Sequence, residues 1–243
     1  MQVKIFQTQE QLNEAAADLI CKIVREQPSP ILGLATGSTP VGIYETLVRR
    51  YAAGEVSFGN VTTFNLDEYV GLPIDHPQSY HSFMRKHLFD HVDIPAEHRY
   101  LPDGNSGDLT LEAKRYNDLL NQTGQIDLQL LGIGHNGHIG FNEPSHDLLS
   151  GTHVVQLQEA TRQANARFFS SLEEVPTHAI TMGIGSILKA KTILLVVRGA
   201  DKALIIRRAL YDPISTERPA SLLQTHADLH VYLDAEAGGE LEL

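Results

Sequence analysis

The chain contains very little cysteine, and this scarcity limits where the protein works. Cys21 is the single cysteine, so no intramolecular disulfide can form, and we expect a cytoplasmic protein. The first ten residues, MQVKIFQTQE, lack the basic stretch and apolar run of a signal peptide. No apolar run approaches the roughly 18 residues that cross a bilayer, so the sequence predicts no membrane-spanning helix and no membrane partner.

Positive charge is also scarce. The 19 lysines and arginines are outnumbered by 30 aspartates and glutamates, which gives a net charge of −11 at pH 7. Repulsion between like charges argues against nucleic acid or an anionic membrane surface as the main partner. If the protein binds an anionic small molecule, it must do so with a few well-placed cations and backbone amides.

Several common active-site motifs are missing. The sequence has no GxxxxGK[ST] phosphate loop and no GxSxG nucleophile turn, so nucleotide phosphoryl transfer and serine hydrolysis are not favoured. His135, His138 and His146 lie near Glu143 in the chain, but their spacing matches no familiar zinc pattern and no cysteine cluster accompanies them. We therefore predict no metal.

Residues 130–144, LLGIGHNGHIGFNEP, combine four glycines with two histidines. Glycine at this density indicates a backbone that turns tightly or approaches a ligand closely, and titratable side chains on such a turn indicate chemistry. The string also matches GxGxxG through Gly132, Gly134 and Gly137. As a dinucleotide fingerprint it is weak, because no helical pattern follows it directly and Pro144 closes the segment.

Alternating strand and helix patterns predict the fold. Short apolar runs predict strands at residues 3–6, 31–35, 61–66, 126–133, 154–157, 179–182, 192–197 and 229–233. Apolar residues at helical spacing predict helices at residues 12–24, 40–48, 78–91, 109–121, 161–169 and 198–211. This alternation predicts a three-layer α/β fold, in which helices cover both faces of a mostly parallel sheet. We expect one domain over residues 1–237 and a flexible tail at residues 238–243.

Polar segments follow four of the predicted strands, at the sheet edge where parallel sheets bind ligands. These segments are residues 38–39, 67–68, 135–143 and 198–202. Asp67 comes directly after a buried strand, which makes it a better catalytic candidate than a carboxylate on a helix surface. Because adjacent strand residues point to opposite faces, we expect Asp67 and Glu68 to have different surroundings.

The cationic and hydroxyl residues of these segments have two interpretations each. The turn TGSTP, residues 36–40, is either an anion site formed by Ser38 and Thr39 or an ordinary helix cap before Pro40. Lys202 lies in the first turn of a predicted helix, where a cation opposes the helix dipole unless an anion is bound. Arg162 and Arg167 have no acidic residue four positions away, so each is either a solvated charge or a phosphate ligand.

Five motifs together resemble the glucosamine-6-phosphate deaminase family. They are LGLATGSTP (32–40), FNLDEYVGLP (64–73), SYHSFM (79–84), GIGHNGHIGFNEP (132–144) and NARFF (165–169), and they occur in the family's order. The resemblance implies the deaminase/ribose-phosphate isomerase type of α/β fold. It also implies conversion of glucosamine 6-phosphate and water to fructose 6-phosphate and ammonia, with no cofactor and no metal.

The resemblance further implies a role for each candidate residue. Asp67 would move a proton between C2 and C1 of the open-chain sugar, and His138 would open the pyranose ring. Glu143 and Asn136 would hold the orientation and protonation of His138. These roles agree with general chemistry, because C–H abstraction needs a positioned carboxylate and ring opening needs a group with a pKa near 7. The sugar phosphate would be held by Ser38, Thr39, Arg167 and Lys202.

The sequence departs from part of the family in two places. Asn136 stands where some members carry a carboxylate, and asparagine can orient a histidine but cannot share its proton. The longer, hexameric members have a C-terminal extension and a basic activator site, whereas this chain ends soon after its last strand and residues 152–156 contain no lysine or arginine. We expect no activation by N-acetylglucosamine 6-phosphate, and a monomer or small homo-oligomer.

Two other functions fit parts of the pattern. A 6-phosphogluconolactonase-like hydrolase would use the histidine as a base on a lactone, but the FNEP continuation with Glu143 fits the deaminase better. So does the Asp67–Glu68–Tyr69 trio. A non-catalytic sugar-phosphate sensor domain would keep the fold, but the chain has no helix-turn-helix segment and retains both Asp67 and His138.

Overall fold

The computed structural model describes residues 1–241 and contains ten strands. They are β1 (Gln2–Phe6), β2 (Ile31–Leu34), β3 (Thr62–Asn65), β4 (Asp67–Tyr69), β5 (Arg99–Tyr100), β6 (Leu128–Leu131), β7 (His153–Gln156), β8 (His178–Thr181), β9 (Thr192–Val197) and β10 (Leu229–Asp234). Seven of them form one parallel sheet in the order β1-β10-β9-β6-β2-β3-β5. The predicted mostly parallel α/β architecture is confirmed.

Seven α-helices surround this sheet within the described residues. They are α1 (Gln9–Glu26), α2 (Val41–Ala52), α3 (Tyr80–His87), α4 (Leu109–Thr123), α5 (Glu159–Asn165), α6 (Ile184–Leu188) and α7 (Ala203–Tyr211). Short 3-10 helices lie at Phe89–His91, Ala96–His98, Ala166–Phe168, Ala200–Lys202, Pro219–Thr225 and Ala237–Glu240. None of the helices in residues 1–241 combines the length and the apolar character that a bilayer crossing requires.

Local sequence explains the start and the seating of α1. A capping box is present: Thr8 Oγ1 accepts the Gln11 amide at 3.2 Å, and Gln11 Oε1 accepts the Thr8 amide at 3.3 Å. Such a cap stabilises a helix by about 1 kcal/mol. The apolar stripe that follows places Leu12, Ala16 and Ile20 in the core, each with no exposed surface.

The central strands are buried on both faces, which explains their continuous apolar sequence. In β9, every residue from Ile193 to Val197 is at most 2 % exposed. A strand with one solvated face would alternate apolar and polar residues, whereas TILLVV does not. Burial of both faces requires cover on each side of the sheet, and the helices supply it.

A second sheet, which the sequence did not predict, holds Asp67. Strands β4, β8 and β7 form it in an antiparallel arrangement, with Asp67 opposite Thr181. We expected Asp67 directly after the third strand; the chain leaves the main sheet at Leu66 and starts a new three-residue strand at Asp67. A strand this short has no periodicity of its own, and its pairing with β8 decides its conformation.

Three predicted boundaries differ from the structure. Pro40 precedes the first residue of α2 as its N-cap, and neither Ser38 nor Thr39 makes a capping hydrogen bond. The helix expected at residues 161–169 begins earlier and ends as a 3-10 turn. Of the tail expected at residues 238–243, Gly238 to Glu240 belongs to a 3-10 turn with Gly238 buried, and residues 242–243 lie outside the described residues.

Candidate active site

A cleft of about 810 Å³ opens at the carboxyl ends of the parallel strands. Its lining includes residues from all four polar segments that the sequence singled out, among them Ser38, Thr39, Asp67, Asn136, His138 and Lys202, and it also includes Arg167. Another cavity, of about 680 Å³, has Lys189 and His226 in its lining and contains none of the predicted site residues. The larger cleft is therefore the candidate active site.

Asp67 is a buried carboxylic acid at the wall of this cleft. It is 6 % exposed, and its position at the start of β4 is fixed by the pairing with β8. Burial raises the pKa of the Asp67 carboxyl to about 8, and the negative charge of neighbouring Glu68 adds to the rise. A carboxyl group with this pKa accepts a proton readily when ionised, as a general base must.

Glu68 points away from Asp67, as the alternation of a strand predicts, and its environment differs in that its carboxylate has several hydrogen-bond partners. Its carboxylate accepts hydrogen bonds from the amides of Tyr69, Tyr80 and His81 at 2.8, 3.0 and 3.1 Å. The His81 Nδ1 lies 2.9 Å from the same group. Two of these residues, Tyr80 and His81, lie at the amino terminus of α3, and together the partners stabilise the negative charge of Glu68 beside Asp67. Glu68 itself is 3 % exposed.

The glycines of residues 132–144 make room for His138. Gly137 and Gly140 adopt φ of 89° and 57°, a region that favours glycine, and so allow the tight turn. The Gly134 amide donates to the His138 carbonyl at 2.9 Å, which brings the His138 ring against Gly134. A Cβ atom at Gly134 would overlap the imidazole. The histidine position therefore depends on glycine at residue 134.

Glu143 and Asn136 lie on either side of His138. His138 Nδ1 is 3.3 Å from Glu143 Oε2, close enough for an ion pair but without hydrogen-bond alignment. Asn136 donates from Nδ2 to Glu143 Oε2 at 2.7 Å, and its Oδ1 accepts the His138 amide at 3.2 Å. Asn136 thus holds Glu143 and His138 in place through hydrogen bonds, and its amide does not titrate.

The ionised form of Glu143 is favoured despite burial. Burial alone opposes ionisation, but His138, Thr161 and Asn136 together hold the pKa of the Glu143 carboxyl below its usual range. The negative charge of Glu143 stabilises positive charge on His138. Glu143 is therefore placed to support a positive charge on His138 during proton transfer.

The cations at the other side of the cleft converge on a site for an anion. Arg167 donates to Ser38 Oγ at 3.4 Å, so the 3-10 turn at Ala166–Phe168 reaches the turn after β2. Burial lowers the pKa of the Lys202 amine to about 8; Asp201 opposes this shift, and the positive charge of Arg167 adds to it. Two cations close enough to repel one another favour a bound anion between them.

Two further residues that the sequence drew attention to, His135 and Arg162, have acidic partners of their own. His135 lies at the rim, where its Nε2 is 2.6 Å from Asp201, and both side chains are more than half exposed. Arg162 pairs with Glu159 at 3.2 Å and donates to the carbonyl groups of Leu172 and Val175. Arg162 is absent from the lining of the cleft, and its acidic partner lies three residues away rather than four.

The structure also adds residues that the sequence gave no reason to select. Thr161 donates to Glu143 Oε1 at 2.5 Å, and Gln158 donates to the Pro144 carbonyl at 3.1 Å. Asn165 donates to the Tyr69 hydroxyl at 3.0 Å. Each contact joins segments far apart in the chain, so no spacing pattern could reveal it. Within residues 1–241, no group of three or more side chains is arranged to hold a metal ion.

The sequence profile of the glucosamine-6-phosphate isomerases/6-phosphogluconolactonase family matches residues 6–231. The chain is 52 % identical to the glucosamine-6-phosphate deaminase of Bacillus pumilus (strain SAFR-032) over 238 residues. That alignment covers 98 % of this chain and 99 % of the relative. The similarity therefore extends over the whole cleft and both sheets.

Solved structures show the same fold. A monomeric glucosamine-6-phosphate deaminase superposes with a TM-score of 0.97 and is 48 % identical, covering 99 % of this chain and all of the other. A 6-phosphogluconolactonase from Leishmania guyanensis has a TM-score of 0.78 at 21 % identity and covers 100 % of this chain and 99 % of its own. At that identity the lactonase shares the fold alone.

Replacing Asp67 with asparagine should stabilise the folded protein, and more strongly at high pH. The Asp67 pKa is about 8 in the folded state against an ordinary value of 3.8, so the folded protein retains a proton that the unfolded chain releases. Wild-type stability is therefore lost as pH rises from 3.8 towards 8, and asparagine removes this loss. We expect urea unfolding to show an advantage for Asp67→Asn that grows by roughly 2–4 kcal/mol from pH 5 to pH 9.

The exposed Asp75 in the loop after β4 provides the matched control. Asp75→Asn should leave the same difference from wild type at both pH values. A constant difference for Asp67→Asn, or destabilisation at pH 9, would contradict the burial account of Asp67.

Proposed function

The chain belongs to the family of glucosamine-6-phosphate isomerases and 6-phosphogluconolactonases, and from this we propose that it is a glucosamine-6-phosphate deaminase. The reaction converts glucosamine 6-phosphate and water to fructose 6-phosphate and ammonia. The observation that carries the proposal is the combination in one cleft of a buried carboxyl base, Asp67, and a carboxylate-supported histidine, His138. The identity to deaminases over nearly the full chain supports the same reaction.

The phosphate anchors the sugar at one side of the cleft. Arg167 and Lys202 supply positive charge, and the hydroxyl groups of Ser38 and Thr39 are free to donate because neither caps α2. Charge-assisted hydrogen bonds of this kind orient a phosphate strongly. Anchoring at C6 directs the amino sugar carbons towards Asp67 and His138 across the cleft.

Ring opening is the first step assigned to the catalytic residues. His138 moves a proton between the C1 hydroxyl and the ring oxygen, which breaks the bond from C1 to that oxygen and yields the open-chain aldehyde. Glu143 stabilises the imidazolium form during this transfer, and Asn136 keeps both groups in place. No proton passes through Asn136, because an amide cannot relay one.

Proton transfer and loss of the amine follow. Ionised Asp67 removes the proton from C2, and the electron pair forms a C1–C2 double bond while the aldehyde oxygen gains a proton. Return of a proton to C1 gives an imine at C2. Water adds to this carbon, and the resulting carbinolamine releases ammonia to leave the ketone of fructose 6-phosphate. Every atom balances without an oxidant or a metal.

The remaining parts of the proposal concern assembly and setting. The protein acts as a monomer, in keeping with the monomeric relative that it resembles across the full chain. Residues 1–237 form one catalytic domain, since the main buried apolar cluster runs from Leu12 to Ala237 and a smaller one lies around Tyr69 and Phe141. The acidic charge and the single cysteine favour a cytoplasmic enzyme without a nucleic-acid partner.

Purified protein should release ammonia from glucosamine 6-phosphate in a coupled glutamate dehydrogenase assay, with equal formation of fructose 6-phosphate. Asp67→Asn should abolish release while retaining sugar-phosphate binding, because binding uses the opposite side of the cleft. Acid release from 6-phosphogluconolactone without ammonia formation would instead identify a lactonase. Binding of sugar phosphate without turnover of either compound would identify a sensor.

Lys202→Ala should raise KM for glucosamine 6-phosphate roughly 10- to 100-fold, since a charge-assisted hydrogen bond contributes about 1.5–3 kcal/mol. Lys202→Arg should keep KM low at alkaline pH. The Lys202 pKa of about 8 makes the wild type lose this charge above pH 8, so the alkaline limb of kcat/KM should move upwards in the arginine variant. The exposed Lys189, outside the cleft, is the control; a Lys202→Ala KM equal to that of Lys189→Ala would place the phosphate elsewhere.

Gly134→Ala should lower kcat on the order of 100-fold, because the added methyl group displaces the His138 ring and small misplacements of a reacting group have this effect. Gly107→Ala tests the same substitution at an exposed turn where a Cβ atom meets nothing within 4 Å. Its kcat should equal that of wild type. Wild-type kcat in Gly134→Ala would show that His138 does not need its observed position.

A further inference from the structure

One short segment contacts all three parts of the candidate site. Residues 158–169, which we call the bridging segment, contain α5 and the 3-10 turn at Ala166–Phe168. Thr161 donates a hydrogen bond to Glu143 of the glycine-rich turn (residues 132–144). Asn165 donates one to Tyr69, which lies in β4 with Asp67. Arg167 donates one to Ser38 of the phosphate turn (residues 36–40). The segment therefore connects the phosphate end of the cleft to the ring-opening end.

The Thr161 contact is the most buried of the three. Thr161 is 5 % exposed, and its hydroxyl donates to Glu143 Oε1 at 2.5 Å. The other carboxylate oxygen, Oε2, accepts from Asn136 and lies beside His138. Glu143 thus accepts a hydrogen bond on each carboxylate oxygen. Of these two hydrogen bonds, the one from Thr161 comes from the bridging segment.

Among residues 1–241, the titratable side chain recorded in contact with Glu143 is His138. His138 faces it from the same glycine-rich turn, while the bridging segment presents the uncharged Thr161 and, next to Asn136 and Pro144, the uncharged Gln158. Loss of the Thr161 hydroxyl therefore changes the hydrogen bonding of Glu143 without changing any charge near it. The effect of the Thr161 hydrogen bond can therefore be measured separately from the electrostatic interaction between Glu143 and His138.

The bridging segment depends on such contacts for its position. Helix α5 has seven residues, too few to be stable alone in water, so its tertiary contacts decide where it lies. Arg162 ties the middle of the segment to the carbonyl groups of Leu172 and Val175. Thr161 and Arg167 belong to the same continuous helical segment, so contacts that fix one end bear on the position of the other.

We propose that Thr161 is a positioning residue that couples the phosphate site to ring opening, by fixing Glu143, and through it His138, when the bridging segment is seated. Binding of a phosphate at Arg167 holds the segment, and the Thr161 hydroxyl then orients the Glu143 carboxylate. The reacting atoms do not touch Thr161. The part of this proposal that concerns turnover rests on the proposed deaminase function.

Thr161→Val removes the hydroxyl and keeps the side-chain volume, and Thr161→Ser keeps the hydroxyl. Thr161→Val should lower kcat for glucosamine 6-phosphate roughly ten- to a hundred-fold with little change in KM, while Thr161→Ser should restore most of kcat. Because Glu143 loses a donor to its ionised form, the acid limb of the kcat profile should move to higher pH in the valine variant. Thr46→Val is the control, since Thr46 is a buried helical threonine whose hydroxyl bonds only the Gly42 carbonyl.

Coupling to the phosphate site is measured by a double-mutant cycle. Arg167→Ala should lower kcat in the wild-type background, and this loss should largely disappear in Thr161→Val, because the link has already been cut. Independent losses that multiply would overturn the coupling. A kcat within twofold of wild type in Thr161→Val, or equal losses in the valine and serine variants, would overturn the positioning role.

An activity-independent measurement separates this inference from the proposed function. Carbon-13 NMR of the glutamate carboxyl carbons, assigned with Glu143→Gln, should show Glu143 titrating at higher pH in Thr161→Val than in wild type and in Thr46→Val. The same shift in a protein without ammonia release would sink the deaminase proposal and leave the Thr161–Glu143 link intact. An unmoved Glu143 titration would overturn the link whether or not the protein is active.

Discussion

The burial of the Asp67 carboxyl beside a second carboxylate is the constraint on which the site depends. Burial disfavours its ionised form, and Glu68 makes ionisation harder still. The fold tolerates this arrangement because β4 is pinned by β8 and because the amides at the start of α3 hold Glu68. The buried carboxyl lowers the free energy of unfolding, and in the proposed function it supplies a base of useful strength. The large apolar core compensates for this loss of stability.

The opposite wall of the cleft solves a different electrostatic problem. In the proposed function, a chain with a net charge of −11 has to attract a phosphate, and two local cations would do so. Arg167 and Lys202 lie close together despite the repulsion between their charges. Burial and this repulsion lower the pKa of the Lys202 amine, and a bound anion would oppose that shift. Between the two walls, His138 lies 3.3 Å from Glu143, so the proposed steps of binding, ring opening and proton transfer would occupy different parts of the cleft.

Sequence patterns predicted the parallel sheet and the edge at which the site lies, because buried strands and helical stripes have strong periodicity. The structure brings Asp67, His138 and Lys202 to that edge as expected, while their chemical roles stay predictions. The second sheet was missed because three-residue strands such as β4 carry no periodicity. Thr161 could not be found at all, since its proposed importance comes from a contact across the fold, and the partner of Arg162 was overlooked because it lies at a spacing of three rather than four.

The most direct test of this account is the titration of Asp67 itself in the substrate-free protein. Carbon-13 NMR of labelled aspartate carboxyl carbons, compared between wild type and Asp67→Asn, isolates the resonance of this group. The account predicts one aspartate that titrates near pH 8 and is absent from the variant. If every aspartate instead titrates below about pH 5, Asp67 is an ordinary carboxylate and the explanation of the site is wrong.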